Sequence, residues 1–352
     1  MLQIHVVQKL APGGIECLAL GLCEHSVEPI GLVSLAGRAN ELMSDWAALR
    51  PVAERITGFA KRAGFRPRLI FELVKHFKRT KPSAVVTHHI GPLLYAGIAA
   101  RLAGVPVVAH VEHDAWHYNN KRRRSIGRLL LKLVRPRLAA VSSTVANGVS
   151  DGVGYLPTVI ANGADVNRFK PTDKCVTRVA LRLPVDAKII GCAGRLELVK
   201  GFDLLLETVP ELPNDVLVVI FGAGSQADIL KMQAERLGIQ HRVIFAGLSS
   251  QMQKVYPAFD VFCLPSRFEG LPLAALEAQA CGVPVVGFDV GGVREAVCPE
   301  TGDLVQAGNV AFLASALAHA LDFPAAKSPR DFIVANFSFE NTVRAYADLT
   351  RI

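Results

Sequence analysis

The chain has 352 residues, 51% of them hydrophobic, and a formal net charge of +8. That length and apolar content fit about two packed domains and exclude a disordered or low-complexity chain. No run approaches the roughly 20 uninterrupted apolar residues of a membrane-spanning helix: even the richest region, 91–111, carries Arg101.

From the N-terminus, residues 1–9 read as a first core strand rather than a leader peptide, so a cytoplasmic location is expected. Short β-branched or apolar runs follow at 84–87, 107–111 and 139–142. After a break the rhythm resumes at 189–193, 216–221, 243–246, 261–264 and 285–288, each run separated from the next by a helical pattern. This alternation implies parallel sheets covered by helices. Each half opens alike, with a strand, a glycine turn (Gly13-Gly14, or Gly194) and a helix. Two doubly wound α/β domains are therefore expected.

The join falls within 155–171, where Asn162-Gly163 between Pro157 and Pro171 supplies turn chemistry instead of periodicity. The reading assigns 1–165 to an N-terminal domain and 166–337 to a C-terminal one. A last helix in 338–352, with Phe339, Val343, Tyr346 and Leu349 on one face, returns to the first domain.

Charge is unevenly placed. Residues 1–170 hold 23 Lys+Arg against 11 Asp+Glu, and the remainder holds 16 against 20. The densest basic segment, Lys121-Arg122-Arg123-Arg124 continued by Arg128, Lys132, Arg135 and Arg137, is threaded with Ile126, Leu129, Leu130, Leu131 and Leu133. It reads either as a solvated helix face or as a peripheral docking surface for an anionic membrane or acceptor on the inner face. No aromatic platform is interleaved, which argues against nucleic acid. The seven cysteines form no C-x-x-C pair and read as buried reduced thiols. His88-His89 and His110/His113 lack a second cluster at zinc-like spacing, so no metal is expected.

The chemistry concentrates after the run at 261–264, in Pro265-Ser266-Arg267-Phe268-Glu269-Gly270-Leu271-Pro272. Pro272 suits a first helical position and Gly282 the residue past the end, giving a helix over about 272–281 whose N-terminal amides attract anions. Glu277 is the one charge in that apolar helix, so it must meet a polar ligand or a buried ionic partner. Glu269, in the loop, is either a ligand contact or a partner of the helix dipole. Arg195 and Lys200 follow the run at 189–193, where they can neutralise a diphosphate or simply be surface cations. Gly222-Ala223-Gly224 is a further close-approach turn, weak by itself.

In chain order, Pro12-Gly13-Gly14-Ile15-Glu16, Asn162-Gly163-Ala164-Asp165 with Arg168-Phe169, Gly194-Arg195 with Lys200-Gly201, Gly222-Ala223-Gly224, and Glu269 with Glu277 in E-x7-E spacing resemble the retaining glycosyltransferases of family four. The resemblance covers essentially the whole chain. It implies a GT-B fold, with two Rossmann-like domains facing each other across a cleft, and transfer of a hexosyl unit from a nucleotide-diphosphate sugar to a glycan or lipid-linked glycan acceptor. Synthesis of bacterial surface polysaccharide or lipopolysaccharide is the implied setting, with the nucleotide sugar as co-substrate and no further cofactor.

The resemblance also assigns roles. Arg195 and Lys200 would hold the donor diphosphate, and the Gly13-Gly14 loop would approach it. Glu277 would bind the ribose, Glu269 would act at the donor sugar, and Gly270 and Leu271 would add backbone amides. A catalytic histidine is implied after the run at 107–111. His113 is selected, with His110 and Glu112 as neighbouring alternatives. His88-His89 and Ser142-Ser143 are candidates for the acceptor side, with capping or surface roles equally open. Two other functions fit the same fold, a sugar-nucleotide 2-epimerase and a non-catalytic nucleotide-sugar-binding subunit. A dinucleotide oxidoreductase fits poorly, since residues 2–14 lack G-x-G-x-x-G.

Overall fold

A computed structural model describes residues 1–324 and 326–352; Ala325 lies outside the described residues. The chain forms two compact units, one of residues 1–162 with 340–352, the other of 163–339.

The first unit is built on seven parallel strands: β1 (Gln3–Lys9), β2 (Ile30–Ala36), β3 (Ile56–Gly58), β4 (Ala84–His88), β5 (Val107–Glu112), β6 (Arg137–Ala140) and β7 (Thr158–Val159). Their spatial order is β3-β2-β1-β4-β5-β6-β7. The second holds β8 (Lys188–Ala193), β9 (Val216–Phe221), β10 (Val243–Gly247), β11 (Val261–Leu264), β12 (Val285–Phe288) and β13 (Asp303–Val305). They are ordered β10-β9-β8-β11-β12-β13. Both sheets are parallel and reverse direction of growth beside their first strand, β1/β4 in one and β8/β11 in the other. In doubly wound sheets ligands bind at the carboxyl ends of the strands at that switch point.

Central strands read as continuous apolar runs because helices cover both faces. Val85, Val86, Val108 and Ala109 are buried in the first sheet, and Ile189, Ile190, Val218 and Val219 in the second. The first sheet also buries His5, Thr87, His88, His110 and Glu112, an unusual density of polar groups for such a core.

Three expectations are corrected. The last helix, Phe339–Thr350, buries Phe339 and Tyr346 as expected, but Val343 and Leu349 are only half-buried, and Thr342 and Thr350 are buried as well. The two threonines can be buried because their hydroxyls find carbonyls, Thr342 donating to Ala161 at 3.0 Å and Thr350 to Tyr346, one turn earlier, at 2.8 Å. The helix expected over about 272–281 runs Leu273–Ala280, with Pro272 extended at its N-cap rather than inside the first turn. Five cysteines are buried, but Cys17 and Cys175 are exposed.

Candidate functional site

In the second unit the switch point is lined from two directions. β8 ends at Ala193 and leads through Gly194-Arg195 to a short 3-10 turn, Leu198–Lys200. β11 ends at Leu264 and leads to Ser266 and Glu269. The loops meet in an ion pair, Lys200 Nζ to Glu269 Oε1 at 2.6 Å. The Ser266 hydroxyl donates to the same oxygen at 2.6 Å. Both internal partners thus use Oε1, and Glu269 Oε2 makes no hydrogen bond among the described residues. The Glu269 side chain is only 8% exposed and that of Lys200 24%, so their charges are poorly screened and each constrains the other.

Two glycines make this approach possible. Gly201 has φ +66°, and a Cβ there would lie 1.9 Å from the Pro265 carbonyl oxygen. Gly291 has φ +53°, and its Cβ would lie 1.9 Å from the carbonyl oxygen of Glu269. Any side chain at either position would push the β11 loop away. The loop is braced further by Arg267, which forks onto Asp203 at 2.7 and 2.6 Å and donates to the Leu198 carbonyl at 2.8 Å. Such bidentate pairing fixes direction as well as distance.

Arg195 is exposed, and its side chain makes no hydrogen bond or ion pair among the described residues. Gly270 and Leu271 are buried beside Glu269, directly before the Leu273–Ala280 helix. On that helix Glu277 accepts a hydrogen bond from the buried Tyr256 hydroxyl at 2.8 Å. Burial pushes its pKa up to about 7, against the opposing effects of the Tyr256 hydrogen bond and the Arg168 charge. Neither Ser266 nor Tyr256 stands out in the sequence. Their contribution comes from oxygen atoms aimed at carboxylates that do.

In the first unit, Gly13 and Gly14 form the turn from β1 into the Gly14–His25 helix, with Gly13 in an extended conformation as its N-cap. His113 directly follows β5 and is 8% exposed. It belongs to a larger histidine network: His88 Nδ1 lies 2.9 Å from His113 Nε2, and His88 Nε2 lies 3.1 Å from His5 Nδ1. Burial, the largest cause, holds all three imidazoles below the usual histidine range, His5 at about 3. The alternatives to His113 are occupied elsewhere. His110 sits between Thr87 and Glu112, with Nδ1 2.9 Å from the Thr87 hydroxyl and Nε2 3.1 Å from the Glu112 carboxylate. Glu112 also accepts from the Tyr118 hydroxyl, and its pKa falls to about 2: burial opposes ionisation, but the surrounding histidines outweigh it. His89 lies at φ +69°, 3.7 Å from Asp114. Ser142 is spent as a helix cap, accepting from the Val145 amide at 3.2 Å. Among the described residues no group of three or more His, Cys, Asp or Glu is placed to hold a metal ion.

Two parallel doubly wound units, one with cations and carboxylates converging at its switch point, give the architecture of the GT-B fold. Family models agree: residues 13–168 match glycosyltransferase family 4, and residues 173–336 match glycosyl transferases group 1. The chain belongs to this glycosyltransferase family. It is 35% identical over 241 residues to the D-inositol 3-phosphate glycosyltransferase of Rhodococcus erythropolis, a match that takes in 62% of this chain and 54% of that protein. The chain thus spans about half the length of the curated relatives it matches. Among solved structures, Anabaena HepE in complex with UDP and glucose superposes with a TM-score of 0.86 at 20% identity, covering 99% of each chain. The lipopolysaccharide outer core galactosyltransferase WaaB, in its apo form, gives 0.70 at 18% identity, again over 99% of each. At these identities the likeness is one of fold.

Proposed function

We propose that the protein is a retaining, metal-independent hexosyltransferase. It uses a nucleoside-diphosphate sugar and a glycan or lipid-linked glycan acceptor, in the synthesis of bacterial surface polysaccharide or lipopolysaccharide. The observation that carries the reading is the Lys200–Glu269–Ser266 cluster at the β8/β11 switch point. Lys200 keeps two ammonium hydrogens for phosphate oxygens while the third holds Glu269. Arg195 adds an uncommitted guanidinium, and the first-turn amides of the Leu273–Ala280 helix add partial positive charge. Together they stabilise the leaving diphosphate, the charge that grows most in the transition state.

Glu269 Oε2 is the acceptor offered to donor-sugar hydroxyls, and Glu277 Oε1, left open by Tyr256, is offered to the ribose. Gly270 and Leu271 are assigned to the donor as backbone contacts, Gly13 and Gly14 to close approach of the phosphates, and His113 to a ligand hydroxyl. The family match and the nucleotide bound by HepE support a uridine or related donor.

The acceptor side carries a second observation. Asn120 caps the Lys121–Val134 helix, accepting from the amides of Arg122 and Arg123. Gly127, Leu130, Leu131 and Val134 are buried, while Ile126, Leu129 and Leu133 are 40%, 65% and 61% exposed. Lys121, Arg122, Arg123, Arg128 and Lys132 surround that exposed stripe. A cationic rim around an apolar stripe fits the inner face of an anionic bilayer, where a lipid-linked acceptor would be presented. No helix of the described residues is long and apolar enough to cross a membrane.

The deciding experiment is donor turnover with UDP- and GDP-hexoses. Lys200→Ala and Glu269→Ala should each lower turnover about 10²-fold or more with the fold intact, and the anomeric configuration of the product should match that of the donor. Near-normal turnover in both variants refutes the site; an inverted anomer refutes retention.

A further inference from the structure

Three imidazoles, His5 in β1, His88 at the end of β4 and His113 just beyond β5, form one unbroken hydrogen-bonded chain across neighbouring strands. His5 and His88 are almost completely buried, at 0% and 1% exposure. All three are held neutral by burial, and a neutral imidazole has one donor nitrogen and one acceptor nitrogen. Two hydrogen bonds among three such rings therefore leave two arrangements for the whole chain.

In one, His5 Nδ1–H donates to His88 Nε2, His88 Nδ1–H donates to His113 Nε2, and His113 presents Nδ1–H outward. In the other every bond is reversed, His113 Nδ1 is a bare lone pair, and the proton at the far end sits on His5 Nε2. That atom is fully buried and has no hydrogen-bond partner among the described residues. An orphaned buried N–H is the rarer and costlier of the two termini, since acceptors tolerate under-satisfaction better. The ring of Tyr346, 5.8 Å from His5 and 6.3 Å from His88 by centroid, closes the buried side.

We infer that His88, anchored by His5, is a positioning residue that locks His113 in the Nδ1–H tautomer, so that His113 offers its ligand a hydrogen-bond donor and not a general base. The role of the ligand rests on the glycosyltransferase reading; the tautomer does not. Other groups near the chain leave it intact. His89 meets His113 edge-on with centroids 5.4 Å apart, and Glu112 and Asp114 are engaged by His110, Tyr118 and His117.

The test has two arms. Long-range nitrogen–proton spectra of the histidine rings in the ligand-free full chain should show His113 protonated at Nδ1 and bare at Nε2. The reverse assignment, or rapid exchange between the two tautomers, overturns the proposal whatever the enzyme's activity. In the second arm, His88→Asn, whose amide can stand in for Nδ1–H, should keep the His113 tautomer and stay within about threefold of parent kcat/KM. His88→Leu should let the ring exchange and lose roughly tenfold or more in kcat/KM for the nucleotide sugar. Should His88→Leu not fold, the spectra of the parent chain and of His88→Asn still decide the matter. Loss of activity in both variants with the tautomer unchanged would assign His88 a merely structural role. An intact tautomer in a chain that transfers no sugar would sustain the positioning claim and count against the glycosyltransferase reading instead.

Discussion

Removal of the Tyr346 ring tests the docking of the last helix on the first unit. The side chain is 2% exposed, packs beside His5 and His88, and its hydroxyl is buried without a hydrogen-bond partner among the described residues. Tyr346→Ala deletes a buried aromatic and leaves a cavity that neighbouring strands cannot close, a loss of about 3–5 kcal/mol. For a unit of this size that corresponds to a fall in Tm of roughly 6–20 °C. Tyr346→Phe keeps the ring and removes an oxygen whose desolvation is uncompensated, so its stability should equal or exceed that of the parent by up to about 1 kcal/mol. Calorimetric scans of the three proteins, in the presence and absence of UDP, provide the comparison. A Phe variant that falls as far as the Ala variant would show that the hydroxyl, not ring packing, anchors the helix, and the argument would fail.

Four further outcomes follow from the geometry. Glu277 holds its proton in the folded chain up to about pH 7, whereas an unfolded glutamate releases it near 4.5; its contribution to stability is fully present below about 4.5 and is lost as pH rises through 7, so Glu277→Gln should gain Tm relative to the parent at pH 8 and not at pH 4.5. Gly291→Ala should cut turnover by displacing Glu269, since its Cβ meets the Glu269 carbonyl oxygen at 1.9 Å; parent-like kinetics would disprove that constraint. Exhaustive EDTA treatment should leave transfer intact, and inactivation reversed by Mg²⁺ would contradict the cationic leaving-group site. Replacing Lys121, Arg122, Arg123 and Arg124 by Ser should abolish co-sedimentation with anionic vesicles at low salt, and binding indifferent to charge would rule out the docking helix.

Strands were legible where apolar residues run together, as at β8, β9 and β11, whereas β2, seven residues long but broken by Gly31 and Ser34, did not stand out although it is largely buried. β3, β7 and β13 span only three, two and three residues, too few to show a period. Glu277 stood out because a carboxylate in an apolar helix demands a partner, and Glu269 through its E-x7-E spacing to Glu277. What the sequence could not display is which partner. His5 and His88 are 83 positions apart, Lys200 and Glu269 are 69 apart, and only the parallel topology brings their strand ends together. The burial of Thr342 and Thr350 in the last helix was hidden for a related reason, because threonine counts as polar until its hydroxyl finds a carbonyl.

The first unit is discontinuous in the chain: residues 340–352 complete it, with Thr342 bonded to Ala161 and Arg137 donating to the Leu349 carbonyl at 3.0 Å. During synthesis the ribosome therefore releases every strand of the first sheet, then the whole second unit, before Tyr346 emerges. The second unit can fold as it is made, but the first must wait with the flank of His5 and His88 uncovered until translation of its closing helix. Vectorial synthesis thus delivers the closing helix of the histidine-bearing unit only after every residue of its downstream neighbour.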